Sequence, residues 1–244
     1  MIAMILAAGR GERMRPLTDR LPKPLLQAGG RPLIVHLVEA LAAAGCRRLV
    51  VNTAHLGALL EAALGDGSRL GVQIRWSHEG TALETAGGIA RARPLLGDEP
   101  FMVVNGDIWT DLAFGPFIER GRAALADPAC DAHLLLVENP PHHAAGDFRL
   151  LHGRIVEAGA AGADAADATI SYTFAGIGVY RPRLFDAVAP GERAPLAPLL
   201  FDARARGALS GELFRGGWMD IGTPQRLDDL DRRLRTGPRA APSL

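Results

Sequence analysis

The chain has 244 residues, 48% of them hydrophobic, and a formal net charge of zero. That is enough apolar material for one sizeable core, while the charge balance gives no overall field to gather nucleic acid or an acidic membrane surface, and no apolar run reaches transmembrane length. Two cysteines without metal-type spacing, Cys46 and Cys130, argue against a disulfide scaffold and point to a reduced, cytoplasmic setting; the apolar start, residues 1–8, lacks a basic lead and is too short for a signal sequence.

Taken in order, residues 3–7 read as a short buried strand running into the small-residue turn Ala8-Gly9-Arg10-Gly11, followed by Arg13, Arg15 and the Pro22-Lys23-Pro24 bracket. Pro32 reads as the first residue of a helix over 33–44 that Gly45 stops. Residues 48–52 form a strand, 56–64 a helix ended by Gly65-Asp66-Gly67, 72–77 an alternating strand, 85–93 a helix and 101–105 another buried strand. The second half is less regular. A helix over 114–125 and a strand over 132–137 precede a hairpin of 146–151 and 154–158 turning at His152-Gly153. An Ala-, Gly- and Asp-rich surface loop over 159–168 leads to a strand at 171–180 and a helix within 193–206. Residues 218–221 lead into a helix over 224–234 with Thr223 as N-cap and Pro224 at its first position, and a frayed tail is expected from 236. The strand–helix alternation predicts an α/β fold with a mostly parallel twisted sheet and helices on both faces. Ligands bind such sheets beyond the carboxyl ends of the strands, where Gly9, Glu79 and Asp107 fall.

Three groups of residues carry chemistry. A strand ending in a glycine loop brings backbone N–H groups close to a ligand and suits phosphate. Lys23 is the only lysine among 27 basic residues, and it is held between two prolines. A compact ammonium can follow a phosphate whose geometry changes, where a planar guanidinium fits worse. Gly9-Arg10-Gly11 also opens a dinucleotide-binding G-x-G-x-x-G, as in an oxidoreductase, but Met14 stands at the third glycine and Pro16 interrupts the helix that should follow. Asp107 closes a hydrophobic strand and Asp220 precedes a helix; two carboxylates can hold one Mg2+ against phosphate oxygens, although singly they also read as a turn residue and a cap. Glu79, in a glycine-rich segment, can accept from the N–H donors of uracil, thymine or guanine and disfavours cytosine.

The motif L-A-A-G-x-G-x-R-M-x-P-L-T followed by P-K-P resembles the signature of the sugar-1-phosphate nucleotidylyltransferases, and the resemblance extends to Leu234. It implies a Rossmann-like nucleotidyltransferase fold over residues 1–235, with a nucleotide-binding part over about 1–110, a small hairpin-containing sugar-binding part over about 111–235, and a flexible tail at 236–244. It implies that Ala7, Ala8, Gly9 and Gly11 wrap the nucleotide, that Arg13 and Lys23 act on its phosphates, and that Glu79, Gly80 and Thr85 meet the base. Asn105, Gly146 and Asp147 would face the sugar, and Asp107 and Asp220 would be the Mg2+ ligands. His142 and His143 are read as part of the sugar loop, because neighbours in sequence rarely converge on one metal. Longer relatives carry a glutamate–lysine pair after the hairpin, whose lysine binds the sugar phosphate; this chain has no lysine there, and Arg149 is the candidate replacement. The segments HEGTALETAGGI, VNGDIWTDLAF, ENPPHHAAGDFRL, FAGIGVYRPRLF and WMDIGTPQRL narrow the implied substrates to UTP and N-acetylmuramic acid α-1-phosphate, in bacterial cell-wall sugar recycling. Transfer to mannose or glucose 1-phosphate from GTP or dTTP, and a non-catalytic subunit that binds a nucleotide sugar, stand as alternatives.

Overall fold

The computed structural model describes residues 1–157 and 170–236; the loop expected over 159–168 and the tail 237–244 lie outside the described residues. In chain order the elements are β1 (Ala3–Leu6), β2 (Gln27–Ala28), β3 (Arg31–Pro32), α1 (Leu33–Ala43), β4 (Arg48–Thr53), α2 (Gly57–Leu64), β5 (Gln73–His78), α3 (Glu84–Leu96), β6 (Phe101–Asn105) and β7 (Ile108–Thr110). They continue with α4 (Phe114–Ala124), β8 (Ala132–Val137), β9 (Phe148–Leu151), β10 (Arg154–Val156), β11 (Ser171–Tyr180), α5 (Leu196–Ala205), β12 (Leu209–Phe214), β13 (Trp218–Asp220) and α6 (Pro224–Thr236).

One nine-stranded sheet in the order β5-β4-β1-β6-β11-β8-β12-β10-β9 runs through both halves of the chain. β5, β4, β1, β6, β8, β12 and β9 point one way, and only β11 and β10 oppose them, so the sheet is mostly parallel in direction. Period-two alternation decides which side each residue faces. Ala3, Ile5, Leu49, Val51, Met102 and Val104 join α1, α2 and α4 in one core cluster. Met4, Val50, Phe101 and Val103 join α3 and α5 in the other. A strand covered on both faces must be apolar throughout, which is why IL, LVV and FMVV appear as unbroken runs. A third, smaller cluster of Met14, Leu26, Leu33, Ile221, Leu227 and Leu230 fastens the segment after β1 to α6.

The structure departs from the sequence reading at several boundaries. α1 starts at Leu33 as expected, but Pro32 ends β3 and is the N-cap of the helix, not its first residue. α3 begins at Glu84 and continues through Pro94 to Leu96, because Ala92 and Leu96 are buried against the sheet and outweigh the proline's preference for ending a helix. α6 extends through Thr236. The hairpin is a two-residue turn as expected, with His152 at φ 47° and Gly153 at φ 77°. Three pairings were not foreseen, the first being the short β2–β3 ribbon. β12 lies parallel beside β8, and β7 pairs antiparallel with β13 in a separate ribbon.

Candidate active site

The chain steps outward from β1 to β4 and β5, then returns to β6 on the other side of β1, and the site lies at the carboxyl ends of these strands. Leu6 is in register with Asn52 on β4 and with Asn105 on β6, so two asparagines flank the chain as it leaves β1. The segment from Ala7 to Met14 forms one wall of a cleft of about 540 Å³. Among the described residues, the amides of Gly9, Arg10 and Gly11 have no protein acceptor, as a phosphate-binding loop requires. The loop is held by Met14 N–H and the Thr18 hydroxyl, both donating to Gly11 O at 2.8 Å. Gly11 sits at φ 64°, and a Cβ there would lie 2.9 Å from Thr18 and 3.3 Å from the Lys23 Cβ. Glycine therefore lets the loop close onto the lysine. Lys23 is buried, and its ammonium donates to Asp107 Oδ2 at 2.6 Å.

A buried chain of hydrogen bonds joins the loop to the opposite wall. Ala7 N–H donates to Asn52 Oδ1 at 2.6 Å, and Asn52 Nδ2 donates to Glu79 Oε1 at 2.6 Å. Glu79 Oε2 in turn accepts from Leu83 N–H at 2.8 Å, so both carboxylate oxygens hold protein groups while the side chain lines the cleft. Beyond it, Glu84 at φ 61° pairs with Arg193 at 2.5 Å, and both line the cleft. The Arg193 segment is tied to the start of α3 by Ala194 N–H donating to Leu83 O and by Ala194 O accepting from the Ala86 and Gly87 amides.

A second pocket of about 360 Å³ shares Arg13, Asn105 and Asp107 with the first. Its other walls are Asp220, Trp218, Pro140, His142, His143 and the stretch Thr173 to Gly176 on β11. Two residues 113 positions apart meet here because β7 and β13 pair: Asp220 is in register with Ile108, and Ile221 N–H donates to Asp107 O at 2.7 Å. Asp220 Oδ1 accepts from Arg226 Nη1 and lies 3.0 Å from His142 Nε2.

Of the residues singled out from sequence, Ala7, Ala8, Gly9, Gly11, Arg13, Lys23, Glu79, Thr85, Asn105 and Asp107 line the first cleft, and Asp220 lines the second. Gly80, Gly146 and Asp147 line neither. Asp147 instead braces the loop before β9, accepting from Phe174 N–H at 2.8 Å and pairing with His143 Nε2 at 2.9 Å. Arg149 lies on β9 between β10 and β11, paired in register with Val156 and Ser171, and lines neither pocket. Asn52, Arg193 and Arg226 were missed. Asn52 had a readable signal, since it closes an apolar VVN strand just as Asn105 does. Arg193 and Arg226 had none, being two of many arginines.

The nucleotidyl transferase family model matches residues 2–236. The chain is 49% identical to the N-acetylmuramate alpha-1-phosphate uridylyltransferase of Neisseria meningitidis serogroup B, over 94% of this chain and 96% of that protein. It is 36% identical to the Caulobacter vibrioides protein of the same name, over 96% of each. Among solved structures, a Bacillus anthracis protein described as a glucose-1-phosphate thymidylyltransferase superposes with a TM-score of 0.81 at 23% identity, covering 97% of this chain and 96% of that one.

Proposed function

Because the chain belongs to the nucleotidyl transferase family, we propose that it transfers a uridylyl group from UTP to N-acetylmuramic acid α-1-phosphate and releases pyrophosphate. The observation that carries this reading is the 49% identity to a uridylyltransferase of that specificity along almost the full length of both chains. The paired pockets support it. One is walled by a loop with free amides and is large enough for a nucleotide; the other adjoins it through Arg13, Asn105 and Asp107.

The reaction is a single in-line displacement in which a phosphate oxygen of the sugar attacks the α-phosphorus and pyrophosphate departs. It needs no nucleophile from the protein, so catalysis rests on positioning and charge neutralisation. The loop amides and Arg13 hold the triphosphate, and Lys23 supplies a point charge to the phosphates. The Ala7–Asn52–Glu79–Leu83 chain fixes the loop relative to the base-binding wall. Asp107 and Asp220 suit Mg2+: both are hard carboxylate donors, one in the turn before β7 and one at the end of β13, lining one pocket, and Mg2+ commonly takes one or two carboxylates plus phosphate and water. Bound there, the ion would neutralise phosphate charge. No helix among the described residues is long and apolar enough to cross a membrane.

A pyrophosphate-release assay that crosses several sugar 1-phosphates with the common nucleoside triphosphates tests the reading. N-acetylmuramic acid 1-phosphate with UTP should give the highest kcat/KM, and N-acetylglucosamine 1-phosphate should be at least about tenfold poorer, the discrimination available from one favourable contact. Equal efficiency with the two sugars, or a preference for mannose 1-phosphate with GTP, would overturn the muramate assignment.

A further inference from the structure

The structure brings Arg226, which lines neither pocket, beside Arg13, which lines both. A Cβ added to Gly222 would lie 2.6 Å from Arg226 Nη2 and 3.1 Å from Arg13 Nη2, so the two guanidiniums meet over the one residue whose lack of a side chain admits them. Gly222 and Arg13 line the first cleft, and Arg13 also lines the second. Arg226 belongs to the first turn of α6, where Thr223 Oγ1 stands 3.4 Å from its Nε. Its Nη1 reaches Asp220 and also lies 2.7 Å from His142 Nε2, while its Nη2, the group beside Arg13, has no acceptor among the described residues. Arg13 has no ion pair among them either.

Arg226, only 17% exposed, pairs with Asp220 through Nη1, while its Nη2 and the exposed Arg13 beside it have no carboxylate partner among the described residues. Close like charges in such a place call for an anion between them, and a guanidinium fork matches phosphate geometry with paired donors. We propose that Arg226, together with Arg13, binds the 1-phosphate of the sugar substrate and so takes the place of the lysine this chain lacks. The assignment rests on the nucleotidyl-transfer reading above. The location suits it, because the sugar phosphate must lie between the sugar pocket and the α-phosphorus it attacks. A methyl group at Gly222 would press on the ends of both arginine side chains, which would have to shift to admit it.

The test compares wild type with Arg226→Gln, Arg226→Lys and Gly222→Ala. KM is measured for N-acetylmuramic acid 1-phosphate and N-acetylglucosamine 1-phosphate at saturating UTP and Mg2+, and UTP binding is followed separately by tryptophan fluorescence. Arg226→Gln should raise the sugar-phosphate KM roughly ten- to a hundredfold, the effect of losing a hydrogen bond between charged groups. The factor should be the same for both sugars, because they share the phosphate, and UTP affinity should stay within about twofold of wild type. Arg226→Lys should recover part of the loss, and Gly222→Ala should raise the same KM with both arginines present; these two variants carry the test if the glutamine variant does not fold. An unchanged sugar-phosphate KM, with lower kcat and a higher Mg2+ requirement, would show that Arg226 only positions Asp220 and would overturn the proposal. Weakened UTP binding with an unchanged sugar-phosphate KM would overturn it too, by assigning the arginine to the triphosphate. Wild-type enzyme that releases pyrophosphate with no sugar 1-phosphate would instead remove the underlying reading.

Discussion

Lys23 combines a charged tip with a buried stem. The sequence marks it by its uniqueness and its proline bracket, which suggest a loop residue facing phosphate; the structure adds that the residue is only 8% exposed and that its ammonium sits 2.6 Å from Asp107. The stem packs under Gly11, which is how a residue with a long flexible side chain is held in one place. Lys23→Ala should lower kcat by at least about a hundredfold, in the range seen when one preorganised donor to a developing charge is lost. Lys23→Arg should recover little, because a planar fork does not fit a space shaped for an ammonium. The folded state should survive both changes. The Asp107 side chain is 41% exposed and can rehydrate, so thermal melting should move by a few degrees, corresponding to about 1 kcal/mol. Turnover near wild type in Lys23→Ala would remove the lysine from the mechanism.

Elements are joined by side chains that sequence patterns do not pair. Arg120 of α4 makes a two-pronged contact with Glu212 of β12, at 2.5 and 2.7 Å, and His133 of β8 reaches the same carboxylate at 3.3 Å. His133 also meets the Ser210 hydroxyl at 2.9 Å, its register partner across the parallel pair. Burial alone would raise the Glu212 carboxyl, but hydrogen bonds from Arg120 and His133 outweigh it and hold it down at about 2. A carboxyl that is more acidic in the folded than in the unfolded state stabilises the fold above its unfolded pKa, and that contribution fades as pH falls toward the folded value. Glu212 should therefore support the junction of α4, β8 and β12 at neutral pH and lose that role between about pH 4.5 and 2. Urea melts of wild type and Glu212→Gln should differ at pH 7 and converge by about pH 2; a constant difference across that range would show that the pair is not the source. β12 itself was illegible because LSGELF has neither an apolar run nor clean alternation. It is a strand because β8 offers a parallel edge along its whole length. The hairpin β9–β10 was legible for the opposite reason, since His-Gly between two apolar runs specifies a local turn.

At the scale of the whole molecule, the decisive contact is the β7–β13 ribbon, which joins the carboxyl end of β6 to the segment before α6. It sets Asp107 and Asp220 in one pocket, and if they act as one unit their losses will not multiply. Asp107→Asn and Asp220→Asn should each remove most Mg2+-dependent turnover, and the double variant should be little worse than either. Losses that multiply would mean separate functions. A direct Mg2+ titration followed by tryptophan fluorescence provides a second readout, with Trp109 and Trp218 both in the ribbon. Each single variant should abolish the saturable change seen with wild type.

What the sequence determined by itself is local and strongly patterned. The strands of the first half are unbroken apolar runs because both of their faces are covered, and the loop after β1 is a glycine turn that a backbone can form with few outside contacts. Residues 3–14 were readable for that reason, and Lys23, Asn105 and Asp107, singled out from sequence, all line the first cleft. Tertiary structure decided everything that depends on which distant segment lies alongside. It placed Asn52 between Ala7 and Glu79, it set Asp147 outside both pockets, and it brought Arg226 to Arg13 across Gly222. The physical reason is that hydrogen bonds and ion pairs between separated segments are satisfied only once packing has set their geometry. An arginine in a chain of many arginines carries no mark of its partner until the fold supplies one.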